Sequence, residues 1–260
     1  MGQSAEMKMC IRIGLFLPLL LLGCTSVAPV SLSQWPPPRP QTGQRSRSFQ
    51  RNLSRTVSGK YLLFLPQDYS RGQKRYPLIM YLHGGSLRGD DVEKVRTLGL
   101  PRLLESDKSF PFVVLSPLCP AGEIWTDTDM LIGILDEVIA HYSIDPSRVY
   151  LTGHSMGGRG AWYLAYKHPE KFAAVAPMSG GANITAWASR LKGVPVSAFH
   201  GAKDQLVPLS QSEDMVNAIK AVGGDVKFTV LPERDHYILD VYENKQLYEW
   251  FLEHKKRADR

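Results

Sequence analysis

From about residue 59 the chain alternates between short unbroken apolar runs and longer stretches whose apolar positions recur every three or four residues. Runs at 61–65, 78–82, 113–115, 149–151, 173–176, 194–199 and 226–231 predict strands. The continuity of 78–82 and 113–115 fits strands covered on both faces. Between them, Leu131, Ile134, Leu135, Val138, Ile139 and Tyr142 share one helical face, which ends before a turn signal at Asp145-Pro146. A second helix is expected over 210–221, closed by Gly223-Gly224. This alternation predicts an α/β chain: a mostly parallel, twisted sheet with helices on both faces. Ligands of such sheets bind outside the carboxyl ends of the strands.

Upstream the pattern changes. Lys8 and Arg12 precede an apolar run at 13–22, interrupted by Gly14 and Pro18. The run is too short for a membrane span of about 20 residues but has the length and basic flank of a secretory signal. It ends in Leu21-Leu22-Gly23-Cys24, which resembles the bacterial lipobox, where the cysteine takes a lipid and becomes the mature N-terminus. Residues 1–24 are therefore expected to be a signal peptide with Cys24 lipidated; a plain signal and an uncleaved anchor are the alternatives. Residues 25–53, rich in Pro, Ser, Arg and Gln and containing Trp35-Pro36-Pro37-Pro38, read as an extended linker. The folded domain is expected over 54–260.

A composition of 43% hydrophobic and 22% charged residues excludes wholesale disorder. The net charge of +6 adds less than it first suggests. Much of the excess sits on the flanks, in Arg39, Arg45, Arg47, Arg51 and Arg55 and in Lys255, Lys256 and Arg257. A solvated linker accounts for it; attraction to an anionic envelope surface is the sharper alternative. No nucleic-acid recognition module accompanies the charge, so no nucleic-acid partner is expected. Cys10 and Cys24 fall in the signal, which leaves Cys119 without a partner for an intradomain disulfide. The expected location is the cell envelope, with membrane contact through a lipid anchor.

The chemistry gathers where strands end. Gly153-His154-Ser155-Met156-Gly157 follows the run 149–151 and opens a helix, which fits the G-x-S-x-G nucleophile elbow. A sharp strand-to-helix turn pushes the Ser155 hydroxyl outward, and side chains at 153 and 157 would strike neighbouring elements. A serine hydroxyl needs a base. Of seven histidines, His236 is the candidate, because it lies beyond the last predicted strand and follows Ser155 in the chain. The base needs an acid to orient it, and Asp204, in the loop directly after the run 194–199, is the candidate over Asp235 and Asp225. An oxyanion needs two aimed donors: the Met156 backbone N–H and one from His83-Gly84-Gly85-Ser86, with Gly85 preferred and Ser86 next. Trp125 and His154 are expected near the substrate; for Trp125 ordinary packing is the alternative. His83 and His200, at strand ends, are expected to make structural hydrogen bonds. No phosphate loop or zincin motif is present, so neither a cofactor nor a metal is expected.

His83-Gly84-Gly85-Ser86-Leu87-Arg88-Gly89-Asp90-Asp91, Trp125 and Tyr150-Leu151-Thr152-Gly153-His154-Ser155-Met156-Gly157-Gly158 together resemble the bacterial "predicted peptidase" and phospholipase/carboxylesterase-like group of α/β-hydrolases, related to feruloyl and polyhydroxybutyrate-depolymerase-like esterases. The resemblance covers about residue 59 to the C-terminus. It implies the α/β-hydrolase fold, a Ser155–His236–Asp204 triad, and esterase more often than peptidase activity. Leu87 departs from the family's usual Glu, so substrate details of that loop do not carry over. The interval 179–193 is too short for a large cap domain. The expected function is hydrolysis of carboxylic esters, short-chain or aromatic in the acyl part, from small molecules or polysaccharides, through an acyl-enzyme. A serine peptidase on the same machinery and a non-catalytic envelope binding module are the alternatives.

Overall fold

Seven strands make one sheet in the order β1-β3-β2-β4-β5-β6-β7 among the residues described by the computed structural model, which are 54–72, 74–182 and 184–256. The signal segment with Cys24 and the linker 25–53 lie outside the described residues. Strand β1 (Tyr61–Phe64) runs antiparallel to β3 (Val113–Pro117). Strands β2 (Tyr76–Leu82), β4 (Ile144–His154), β5 (Ala174–Met178), β6 (Val196–Gly201) and β7 (Val226–Leu231) complete the sheet, and every pairing except β1 with β3 is parallel. This is the mostly parallel sheet that the apolar runs predict.

The period-two geometry of a strand sorts those runs onto two faces. On one face Leu78, Met80 and Leu82 of β2 join a core with Leu131 and Leu135 of α2 (Thr128–His141), Leu164 of α3 (Met156–Lys167) and Met215 of α5 (Leu209–Ala221). On the other, Ile79 and Tyr81 pack with Leu100 of α1 (Gly99–Ser106), with Tyr242, and with Phe251 of α6 (Lys245–Glu253). Each fully buried side chain of this kind contributes roughly 1.5–3 kcal/mol of transfer free energy. With neither face of β2 left to water, its unbroken apolar run is the pattern that fits.

The structure corrects the reading of Asp145-Pro146 as a break ahead of the strand. Tyr76 pairs with Ile144 and Leu78 with Val149, so β4 bulges by several residues instead of starting afresh. The Asp145 carboxylate closes the bulge, accepting from the Ser147 N–H at 3.0 Å and from Arg148 Nε at 2.6 Å. The turn chemistry is real but sits inside a strand. Arg55, grouped above with the basic flank, pairs with Asp127 at 2.6 Å and Asp129 at 3.3 Å. The interval 179–193 holds a single 3₁₀ turn, Thr185–Trp187, and the one-turn helix α4 (Ala188–Leu191). No helix among the described residues is long and apolar enough to cross a membrane.

Candidate active site

Strand β4 ends at His154, and Ser155 turns the chain into α3 with φ 59° and ψ −120°, a positive φ rare outside glycine. The turn is tight enough that a side chain at Gly157 would collide with the Leu82 carbonyl oxygen, and one at Gly153 with that of Gly157. The Ser155 N–H is held by the Met178 carbonyl at 2.9 Å, which ties the elbow to the end of β5. Such strain persists only where surrounding structure imposes it.

Two further strand ends deliver the partners. Beyond β7, His236 is buried, with Nε2 2.7 Å from Ser155 Oγ and Nδ1 2.7 Å from Asp204 Oδ2. A carboxylate can only accept, so Nδ1 carries the proton and Nε2 accepts from the serine hydroxyl. Beyond β6, both oxygens of Asp204 are engaged. Oδ1 accepts from the Leu206 N–H at 2.9 Å and the Val207 N–H at 2.8 Å. Oδ2 lies 3.1 Å from His200 Nε2 as well as against His236. Burial pushes the Asp204 carboxyl up, but hydrogen bonds from the Val207 N–H, His236 and the Leu206 N–H outweigh it and hold its pKa below the usual carboxylate range. Asp235 is exposed and accepts from the Tyr237 N–H at 2.9 Å, apart from this chain of bonds.

The loop after β2 passes beside the serine. A Cβ on Gly84 would lie 3.7 Å from that of Ser155, and one on Gly85 3.9 Å from Met156 Sδ. Arg88 Nε donates to the Gly85 carbonyl at 3.1 Å, and its Nη1 to the Glu123 carbonyl at 3.1 Å, which pins the loop. The Met156 N–H opens α3, where a helix leaves its first donors without intrahelical acceptors. Gly85 thus approaches the Met156 side chain and lines the same cavity as Ser155.

Trp125 is packed in the core and also borders a cavity, so both readings the sequence left open stand. It is buried, donates from Nε1 to the His83 carbonyl at 2.9 Å, and lines a cavity of about 410 Å³ beside Ser155. Arg159, Tyr163, Trp187 and Gln211 line the same cavity. A smaller cavity of about 180 Å³, also lined by Ser155, is bounded by Gly85, His236 and Tyr237. His154 reaches its wall, but its Nε2–H is committed to the His236 carbonyl oxygen at 2.7 Å. The ring thus supports the His236 main chain as well as reaching the cavity wall where a substrate contact is expected. Burial pushes the His154 pKa down to about 4. His83 and His200 bond within the structure as expected: His83 Nε2 accepts from the Cys119 N–H at 3.0 Å, and His200 pairs with Ser212 at 2.7 Å. Burial pushes the Cys119 thiol up to about 11, leaving it a poor nucleophile. Among the described residues no group of three or more His, Cys, Asp or Glu is gathered as a metal would require.

Sequence reasoning passed over Arg88 and Arg159. Arg159 was legible in principle, since it stands four residues after Ser155 on a predicted helix and shares its face. The link between His200 and Asp204 was not, because the sheet brings the two together through a loop of irregular geometry.

Residues 120–247 match the phospholipase/carboxylesterase family model. The bifunctional acetylxylan esterase/xylanase of Neocallimastix patriciarum is 32% identical over 143 residues, 53% of this chain and 20% of that protein. A probable feruloyl esterase C of Aspergillus terreus is 30% identical over 175 residues, 64% of this chain and 63% of its own. Among solved structures, a thermostable esterase superposes with a TM-score of 0.64 at 29% identity, over 75% of this chain and 59% of that one. The chain spans less than two thirds of the length of each of these relatives. Taken with the sheet order and the elbow between β4 and α3, these likenesses give the chain the α/β-hydrolase fold and support its resemblance to the phospholipase/carboxylesterase-like group.

Proposed function

We propose that the chain hydrolyses carboxylic esters through an acyl-enzyme. The observation that carries this is the unbroken chain of bonds from Ser155 Oγ through His236 to Asp204, set at a strained elbow. Ser155 Oγ attacks the ester carbonyl carbon while His236 Nε2 takes the hydroxyl proton. The negative charge that develops on the carbonyl oxygen meets the Met156 and Gly85 N–H groups. Asp204 keeps the His236 proton on Nδ1 and stabilises the imidazolium. His236 then hands its proton to the leaving alcohol, and the acyl-serine is hydrolysed by water activated in the same way. The likeness to acetylxylan and feruloyl esterases supports short or aromatic acyl groups on bulky alcohols, polysaccharides included. Of six exposed large apolar side chains among the described residues, Ile124, Ile184, Leu206 and Tyr237 ring the two cavities, which suits a broad substrate face.

The test is labelling by a fluorophosphonate, followed by turnover of a panel of ester and peptide substrates. Covalent labelling with ester cleavage in excess of peptide cleavage is expected; an unlabelled serine overturns the reading. Export and a lipid on Cys24 belong to the same proposal and rest on the segment ending Leu21-Leu22-Gly23-Cys24. Mass spectrometry of the mature protein is expected to find a lipidated Cys24 at its N-terminus, and an unmodified terminus elsewhere overturns the anchor.

A further inference from the structure

We propose that Arg159 binds an anionic group on the acyl part of the substrate, so that the site favours esters of acids carrying a second carboxylate. The inference rests on the esterase reading above and deepens it.

The first step is to tell the acyl side from the alcohol side. His236 Nε2 must return its proton to the departing alcohol oxygen, so the alcohol has to lie within hydrogen-bond reach of His236. His236 bounds the smaller cavity and does not line the larger one. The alcohol therefore leaves through the smaller cavity, and the acyl group extends into the larger, which Ser155 also lines.

The second step concerns the charge in that larger cavity. Arg159 stands one helical turn after Ser155 on α3, and its side chain lines the cavity. It has no ion pair and no side-chain hydrogen bond among the described residues. Several other arginines are committed: Arg55, Arg96 and Arg234 to carboxylates, Arg88 and Arg148 partly to carbonyls. No Asp or Glu lines the cavity, so nothing there neutralises the guanidinium. Its remaining walls are largely aromatic, from Trp125, Tyr163 and Trp187. A planar cation at the edge of an aromatic pocket next to a nucleophile suits a rigid acyl group that ends in a carboxylate. The ring packs on the walls, and the carboxylate takes the guanidinium fork in a bidentate pair. A neutral acyl chain leaves the cation to water and gains nothing from it.

The test compares p-nitrophenyl 4-carboxybenzoate with p-nitrophenyl 4-methylbenzoate, which match in shape and differ in charge; a para carboxylate cannot attack its own ester. In the wild type, kcat/KM is expected to favour the charged ester by about tenfold, and the preference to shrink toward 1 M salt. Arg159→Gln should bring the ratio close to one, and Arg159→Glu should invert it. The ratio is taken within each variant, so any loss of folded enzyme cancels. Turnover of p-nitrophenyl acetate reports the esterase reading separately. Acetate cleaved with no preference for the anionic ester, or with neither benzoate accepted, overturns the inference alone. A preference that survives both substitutions also overturns it. Cleavage of no ester at all overturns the inference and the esterase reading together.

Discussion

His154 Nε2–H donates to the backbone carbonyl oxygen of His236 at 2.7 Å, so the residue before the nucleophile holds the main chain of the base. The two rings lie 5.0 Å apart, and His154 is only 4% exposed. The bond ties the loop after β7 to the elbow after β4.

That burial has a consequence for acid stability. The His154 pKa falls from 6.5 to about 4 on folding, mainly through desolvation. The native state keeps the ring unprotonated, whereas the unfolded chain takes a proton near pH 6.5. The stability tied to this group is therefore complete above pH 6.5, erodes as the pH drops, and is gone below about pH 4. A shift of this size corresponds to about 3 kcal/mol. His83 is shifted in the same direction and adds to the loss, while Asp204 contributes only at lower pH. Urea midpoints measured from pH 7.5 to 4 should fall steeply for the wild type and less steeply for His154→Gln. Parallel curves would show that His154 titrates in the folded protein as it does in the unfolded one.

Removing the nucleophile separates chemistry from folding. Ser155→Ala deletes one hydroxyl at a half-buried position and leaves the bonds of Asp204 untouched. The variant should melt within a few degrees of the wild type, since no core contact is lost. Its kcat should fall by roughly three orders of magnitude or more, and His236→Ala should match it because the groups act as a unit. Esterase turnover of a folded Ser155→Ala protein at near wild-type rate would place the nucleophile elsewhere.

The two neighbouring acids predict opposite outcomes. An Asn at 204 would present an amide that can donate to His236 Nδ1, favouring the wrong tautomer, and Asp204→Asn should cost about 10⁴ in kcat. Asp235 is exposed and only accepts from the Tyr237 N–H, which an Asn oxygen does equally well. Asp235→Asn should change kcat/KM by no more than a few-fold. The reverse order in steady-state rates would transfer the acid role to Asp235.

These expectations rest on features that were unequally legible in the chain. The central strands β2 and β5 were plain because they are buried along their whole length and carry no polar position to blur them, whereas the edge strand β7 was legible despite its exposed Lys227. Strand β4 began earlier than expected because the Asp145 turn is absorbed as a bulge within the sheet. Helix α1 escaped notice because its apolar residues, Leu100, Leu103 and Leu104, span little more than one turn, too few to establish a period. Ser155, Asp204 and His236 could be picked out because each follows a strand whose pattern is strong. What they rest on, the His154 bond to the His236 carbonyl and the approach of His200 to Asp204, depends on backbone directions in loops, and composition carries no signal for those.

Chain-length preference follows from what covers the larger cavity. Only the Thr185–Trp187 turn and the four residues of α4 occupy the interval where a lid would stand. The segment that follows β2 does not supply one: Leu87 is buried, and Leu100 and Leu104 of α1 are held in the core of the opposite sheet face. The cavity of about 410 Å³ therefore opens past Ile124 and Ile184, each 42% exposed. A methylene fully withdrawn from water contributes about 0.8 kcal/mol, close to a fourfold gain in kcat/KM if the transition state keeps it buried. Beyond the depth of an open cavity each added methylene stays wet, and the gain stops. Across p-nitrophenyl esters from acetate to palmitate, kcat/KM should rise over the first few carbons, level off and then decline. A steady rise through to palmitate would require a closed acyl tunnel, which a turn and one short helix cannot form, and would overturn this account of the site.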